Sequence, residues 1–136
     1  KKMIKEKKLD NFFLHKSEEE KYLDHYIKYS SLLYLSLKKD KFLNLTSPSK
    51  LQLYLASGKP IIGEISGECK KIINLSKSGF CVNHEDSKDL LKKINFFFKI
   101  RNNKNKINYY CNNSRDFYEN NFSINKITSR FIKIIE

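Results

Sequence analysis

Short apolar runs alternate with longer segments of helical periodicity along this chain of 136 residues. Four of the runs have the length and composition of strands, and they cover residues 11–15, 31–37, 59–65 and 79–83. The run SLLYLSL at 31–37 is apolar along its length, which is typical of a strand covered on both faces. The pattern therefore predicts four buried strands separated by helices.

The first predicted helices begin at recognisable capping signals. Ser17 and Glu20 have the spacing of a capping box, which predicts a helix over 17–30. A shorter helix is predicted over 48–57, with Ser47 as its cap and Pro48 in its first turn. Gly58 can end that helix in the left-handed conformation.

Four further helices follow from the same periodicity. They cover residues 67–79, 85–100, 102–123 and 124–136, the third with a loop at NNKN near its start. In the 67–79 helix, which should end at Gly79, we expect Ile72, Ile73 and Leu75 to face the core. Asp86 or Ser87 should cap the 85–100 helix.

The alternation of strands and helices predicts an α/β fold with a parallel sheet and helices on both faces. The length corresponds to one domain. Ligands of such sheets bind outside the carboxyl ends of the strands. The loops of interest are therefore those at 15–18, 38–50, 63–68 and 83–87.

The net charge of +12 has two open interpretations. A polyanion such as nucleic acid, acidic lipid or a phosphorylated ligand would bind such a chain. Alternatively, the abundance of Lys, Asn and Ile reflects an AT-rich genome. The lysines are spread along the chain without a basic cluster interleaved with aromatic residues, so a nucleic-acid partner is not predicted.

The spacing of the cysteines and the length of the apolar runs narrow the class of protein further. The three cysteines lie far apart without a CxxC motif, so we predict reduced thiols and no metal site. There is neither an apolar run of about 18 residues nor a secretory signal, and a cytoplasmic location is expected.

The segment 47–68 contains both prolines and three of the four glycines of the chain. The predicted helix start presents free backbone amides to an anion, and Ser49 and Lys50 add a hydroxyl and a charge. Gly67 and Glu68 follow the next strand, where a carboxylate can accept hydrogen bonds from sugar hydroxyls. An equally open interpretation is that the breakers only mark two turns and that Lys50 is a surface lysine. The segment is not a P-loop, since GxxxxGK[ST] is absent.

Three segments carry a family resemblance: PSKLQLYLASGKPIIGEISGE, KSGFCVNHEDSKDLLKKI and NNSRDFYENNFS. In this order and spacing they resemble the C-terminal half of GT-B fold glycosyltransferases of family 4. The similarity is greatest to the bacterial branch that transfers N-acetylated aminosugars or deoxysugars in surface-polysaccharide synthesis. The resemblance covers nearly the whole chain.

The resemblance implies that residues 1–136 form a Rossmann-like domain that binds a nucleotide sugar, such as a UDP-sugar, without a metal or other cofactor. Thr46, Ser49 and Lys50 would bind the donor diphosphate. The loop with Gly63, Gly67 and Glu68 would border the donor sugar or nucleoside. Lys16 and Gln52 are further candidates for the site. The first strand of the family's domain, and the basic pair that follows it, would precede Lys1.

In the full enzyme, a hexosyl or N-acetylaminosugar residue would be transferred to a lipid-linked or saccharide acceptor. A preceding N-terminal domain would bind that acceptor, so the isolated chain should be inactive and its catalytic residues are not assigned. The basic charge would favour contact with the acidic inner membrane face.

The chain departs from the family pattern at three positions. Leu45 and Leu53 occupy the places of two glutamates that the broader family carries, and His15 replaces a usual glycine. Two alternative functions therefore stay open. One is a non-catalytic or decayed nucleotide-binding fragment, and the less favoured one is a basic nucleic-acid-binding protein.

Overall fold

A computed structural model describes residues 6–15, 20–40 and 45–135. Six helices and three strands lie within these ranges. In chain order they are α1 (Glu20–Tyr29), β1 (Leu33–Ser36), α2 (Ser49–Ala56), β2 (Ile61–Glu64), α3 (Gly67–Ser76), β3 (Gly79–Val82), α4 (Ser87–Ile100), α5 (Lys104–Asn121) and α6 (Ile124–Ile135).

The three strands form one parallel sheet in the order β1-β2-β3. Gly63 of the central strand pairs with Leu35 on one side and with Cys81 on the other. Each connection between neighbouring strands contains one helix, as parallel pairing requires. The predicted α/β class with a parallel sheet is therefore confirmed, and the arrangement is Rossmann-like.

The sheet is covered by helices on both faces, as the alternation of elements predicts. Ile61 belongs to a core cluster with residues of α2, α3 and the end of α5. The next residue, Ile62, belongs to a second cluster with residues of α4 and the start of α5. Successive side chains of a strand point to opposite faces, so β2 contributes to both cores.

One predicted strand is wrong. Residues 11–15 lie in the described part of the chain but form no strand there. Phe12, Phe13 and Leu14 are exposed. An apolar run becomes a strand only when a neighbouring strand accepts its backbone hydrogen bonds, and this run pairs with none of the three described strands.

The expectation that β1 is covered on both faces is also wrong. Leu33 and Leu35 are buried, but Tyr34 between them is 45% exposed and Ser36 is exposed as well. The helices of the second face pack over β2 and β3 rather than over β1. The second face of β1 therefore stays accessible toward its carboxyl end.

Helix α3 differs from the prediction in two details. Ile72 and Ile73 are buried as expected, but Leu75 is exposed, because rotation of about 100° per residue places it outside their face. The helix ends at Ser76 and not at Gly79, and Lys77 caps it with a left-handed φ of 50°. Gly79 lies instead in β3, next to the backbone of Ile61.

The predicted caps have mixed outcomes. Asp86 caps α4, since its side chain accepts a hydrogen bond of 2.9 Å from the backbone N–H of Asp89. Gly58 follows α2 with a φ of +64°, as predicted. Ser47 does not cap α2, because Pro48 is the N-cap residue and Oγ of Ser47 is buried without a hydrogen-bond partner. The capping box at Ser17 falls outside the described residues.

Candidate functional site at the carboxyl edge of the sheet

The three strands end at one edge of the sheet, and α2, α3 and α4 begin there because each runs back antiparallel to the strand before it. Cys69 in the first turn of α3 donates a hydrogen bond from Sγ to the carbonyl oxygen of Thr46, at 3.3 Å. This contact joins the start of α3 to the segment that leads into α2. The first turns of both helices therefore lie side by side.

The first turn of α2 is open to solvent and electropositive. Ser49 and Lys50 are exposed, and neither forms a hydrogen bond or ion pair with another described residue. Their backbone N–H groups have no acceptor within the helix, and the first turn contains no acidic residue. The helix dipole and the Lys50 ammonium therefore give this turn a positive charge that no residue of the turn itself neutralises.

Gly67 and Glu68 form the first turn of α3. Gly67 has a φ of +65°, a conformation that glycine adopts without strain. Glu68 has a side chain that is 44% exposed and pairs with Lys71 at 3.3 Å, so its carboxylate is partly neutralised. The structure therefore brings Thr46, Ser49, Lys50, Gly67 and Glu68 to one edge.

The remaining predicted site residues are not in the first turns of α2 and α3, or are not described. Gly63 and Glu64 belong to strand β2 rather than to a loop. Gly63 is buried, and a Cβ there would lie 2.7 Å from Cδ1 of Ile65, so its small size serves packing in the core. Gln52 is half-buried one turn after Ser49 on α2. Lys16 lies outside the described residues.

The sequence analysis missed Glu64, the last residue of the central strand. Its Oε2 accepts hydrogen bonds from the hydroxyl of Tyr34 and, at 3.2 Å, from Oγ of Ser36. Its Oε1 accepts one of 2.8 Å from the backbone N–H of Glu85. One carboxylate therefore connects the ends of all three strands. The available signal was an acidic residue at the end of a buried apolar strand.

These hydrogen bonds favour the ionised form of Glu64. The Tyr34 hydroxyl and then the Glu85 N–H lower the pKa of the Glu64 carboxyl, because both donate to its ionised form. Burial, followed by the bond to Glu64, raises the pKa of Tyr34. Near neutral pH the edge therefore carries a fixed carboxylate beside a neutral phenol, and such a carboxylate can accept ligand hydroxyl groups.

An open cavity of about 640 Å³ lies at the opposite edge of the sheet. Ser31 and Leu32 before β1, and Lys59 and Pro60 before β2, line it together with residues of α4 and α5. It contains none of the predicted site residues. Because ligands of parallel α/β sheets bind at the carboxyl edge, the first turns of α2 and α3 are a better candidate site than this cavity.

Residues 6–15, 20–40 and 45–135 show neither a cluster of metal ligands nor a helix that could cross a membrane. In these ranges no group of three or more His, Cys, Asp and Glu side chains is arranged to hold a metal ion. None of the helices described there combines the length and the hydropathy that crossing a membrane requires.

Comparison with protein-family models, with curated proteins and with solved structures gave no match. The class of this chain therefore rests on its fold and on the carboxyl edge alone. The described residues form an α/β fold of generic Rossmann-like type, in which a three-stranded parallel sheet lies between helices.

Proposed function

We propose that this chain is the donor-binding domain of a GT-B fold glycosyltransferase of family 4. The full enzyme would transfer a hexosyl or N-acetylaminosugar residue from a nucleotide diphosphate sugar to a lipid-linked or saccharide acceptor. The observation that carries the proposal is the first turn of α2, where Ser49 and Lys50 are exposed without a described partner. The resemblance of the segment from Pro48 to Glu68 to this family supports it.

The proposed chemistry of the site is electrostatic. The free amides of the first turn of α2 would donate to the diphosphate oxygens, together with the Ser49 hydroxyl. The Lys50 ammonium would balance the charge that develops on the leaving diphosphate as the sugar departs. A donor held by fixed dipoles and one lysine needs little rearrangement at the moment of transfer.

The sugar or nucleoside end of the donor would face the two carboxylates at this edge. Glu64 is held by Tyr34, Ser36 and the Glu85 N–H, so it presents a fixed acceptor. Glu68 pairs with Lys71, whose side chain is 71% exposed, and can turn from it toward a ligand hydroxyl. Hydrogen bonds from sugar hydroxyls to such groups would orient the donor.

A titration of the chain with UDP, GDP and UDP-N-acetylglucosamine, followed by backbone amide NMR shifts, tests the proposal. We expect shifts centred on 46–52 and 64–68, with a preference for one nucleotide. Lys50→Gln should weaken binding by about tenfold, since one charge-assisted contact is worth roughly 1.4 kcal/mol or more.

The matched control is Lys99→Gln, an exposed lysine in the last turn of α4. It removes the same charge from the far end of a helix and should leave the affinity unchanged. Equal losses from both variants would indicate nonspecific attraction to the net charge of the chain. Shifts confined to the cavity before β1 and β2, or the absence of shifts, would contradict the proposal.

A further inference from the structure

Helix α6 carries an apolar face that the described part of the chain leaves uncovered. None of its residues is buried. At about 100° per residue its six apolar side chains fall on one side of the helix. They are exposed by 43% to 81%, and they are Ile124, Ile127, Phe131, Ile132, Ile134 and Ile135.

The other side of α6 is cationic. Lys126, Arg130 and Lys133 lie there, and residues 124–135 contain no acidic side chain. Arg130 donates hydrogen bonds of 3.4 Å to the carbonyl oxygens of Asn120 and Asn121 at the end of α5. Arg130 thus joins α6 to the end of α5, whereas Lys126, Lys133 and the apolar side chains are exposed.

We propose that α6 binds the surface of a bilayer that contains anionic lipids and lies in the plane of that surface. The apolar side chains would enter the boundary between headgroups and acyl chains, and Lys126 and Lys133 would contact lipid phosphates. A helix of 12 residues is about 18 Å long, shorter than the hydrocarbon core of about 30 Å, so it would lie on the bilayer rather than span it.

A second copy of the chain fits this face less well. The helix is about 18 Å long and about 10 Å wide, which gives a footprint of roughly 180 Å², against about 800 Å² per partner in a stable interface. A second copy would also bring another net charge of +12 to the contact. An anionic bilayer can instead take up the apolar side chains of α6 and attract Lys126 and Lys133.

This proposal is independent of the donor site at the carboxyl edge. Flotation of the chain with two kinds of vesicle tests it: phosphatidylcholine alone, and equal parts of phosphatidylcholine and phosphatidylglycerol. We expect the chain to float with the anionic vesicles only, and added salt should release it because part of the attraction is electrostatic.

Matched substitutions on α6 and α4 show which helix binds the vesicles. Phe131→Ser should weaken vesicle binding by roughly tenfold or more, because a large apolar side chain no longer enters the interface. The matched control is Phe98→Ser on α4, since Phe98 is 61% exposed and Phe131 is 64% exposed. That control should bind as the unaltered chain does.

A second pair of variants tests the cationic side. Lys126→Gln combined with Lys133→Gln should weaken binding to anionic vesicles by roughly 30-fold, at about 1 kcal/mol per lysine near such a surface. Lys92→Gln combined with Lys99→Gln removes two exposed lysines of the same spacing from α4 and should have little effect.

Three results would overturn the proposal. One is no flotation with anionic vesicles, and another is equal losses in the α6 variants and their α4 controls. The third is a dimer in sedimentation velocity that Phe131→Ser abolishes, which would assign the apolar face to a second copy.

Discussion

The backbone N–H of Glu85 donates a hydrogen bond of 2.8 Å to the carboxylate of Glu64, and this bond ties the turn after β3 to the end of β2. Glu85 adopts a left-handed φ of 65°, which is uncommon for a residue with a side chain. The second oxygen of Glu64 binds Tyr34 and Ser36 of β1. The carboxyl edge is thus organised around one ionised side chain.

Glu64→Gln should lower the free energy of unfolding by about 1 kcal/mol at neutral pH, because hydrogen bonds to a charged acceptor are stronger than those to an amide. Urea denaturation measures this free energy of unfolding. Glu68→Gln is the control, since it removes the same charge from an exposed ion pair that contributes little. A larger loss from Glu68→Gln than from Glu64→Gln would contradict the role of Glu64.

The contribution of Glu64 should depend on pH. Its pKa in the folded chain is lowered below the ordinary value of 4.5, first by Tyr34 and then by the Glu85 N–H. The stabilisation is therefore complete above about pH 4.5 and is lost as the pH falls through the lower, folded-state pKa. The stability difference between the unaltered chain and Glu64→Gln should shrink over that acid range in urea denaturation. A stability difference that grows as the pH falls would contradict a lowered pKa of Glu64.

Tyr34 and Glu64 should be energetically coupled. Tyr34→Phe keeps the ring and removes the hydroxyl that donates to Glu64. The single variants Tyr34→Phe and Glu64→Gln and their combination form a double-mutant cycle, with an expected coupling of about 1 kcal/mol in the free energy of unfolding. Additive losses would show that the hydrogen bond does not stabilise this edge.

The two strand glycines should differ in their tolerance of alanine. A Cβ at Gly79 would lie 1.7 Å from the carbonyl oxygen of Ile61, a backbone atom of the neighbouring strand. A Cβ at Gly63 would instead meet side-chain ends of Ile65 and Ile73, at 2.7 Å and 2.9 Å, which can rotate away. We expect Gly79→Ala to cost at least about 3 kcal/mol and Gly63→Ala about 1–2 kcal/mol in urea denaturation. The reverse order would contradict the packing of β3 against β2.

The thiols should react slowly in the folded chain. Burial raises the pKa of Cys81 to about 11, and it also raises the pKa of Cys69 and of Cys111. At about pH 8 the thiolate fraction of Cys81 is then roughly 100-fold lower than that of an ordinary thiol, and reactivity should rise with pH. Ellman's reagent should count the three free thiols rapidly only in urea. Rapid reaction of Cys81 in native buffer would contradict this expectation.

Local signals in the sequence predicted much of the fold. Asp86 is followed by a periodic apolar pattern, and its cap forms within three residues of the chain. Gly58 takes the left-handed conformation that its place after an apolar helix indicates. Of the candidate site, the sequence indicated Ser49 and Lys50 at a helix start after a strand, and the structure places them at the carboxyl edge.

The misassigned features depend on distant parts of the chain. Residues 11–15 have the composition of a strand but find no partner among the described strands. Leu75 is apolar like its buried neighbours, but its position around the helix axis leaves it exposed. Glu64 stands 30 residues from Tyr34 and 21 from Glu85 along the chain, so no local pattern reveals that they meet.

The sequence by itself determined the α/β class, the places of most helices and strands, and the basic charge of the chain. Periodicity, caps and turn residues act over a few neighbouring positions, and their physics is contained in those positions. Only the tertiary structure decided which strands pair and that Glu64 joins the end of β2 to β1 and to the turn after β3. It also decided that the described residues leave the apolar side of α6 uncovered. These features result from contacts between residues far apart in the chain, whose partners are selected when the whole fold packs.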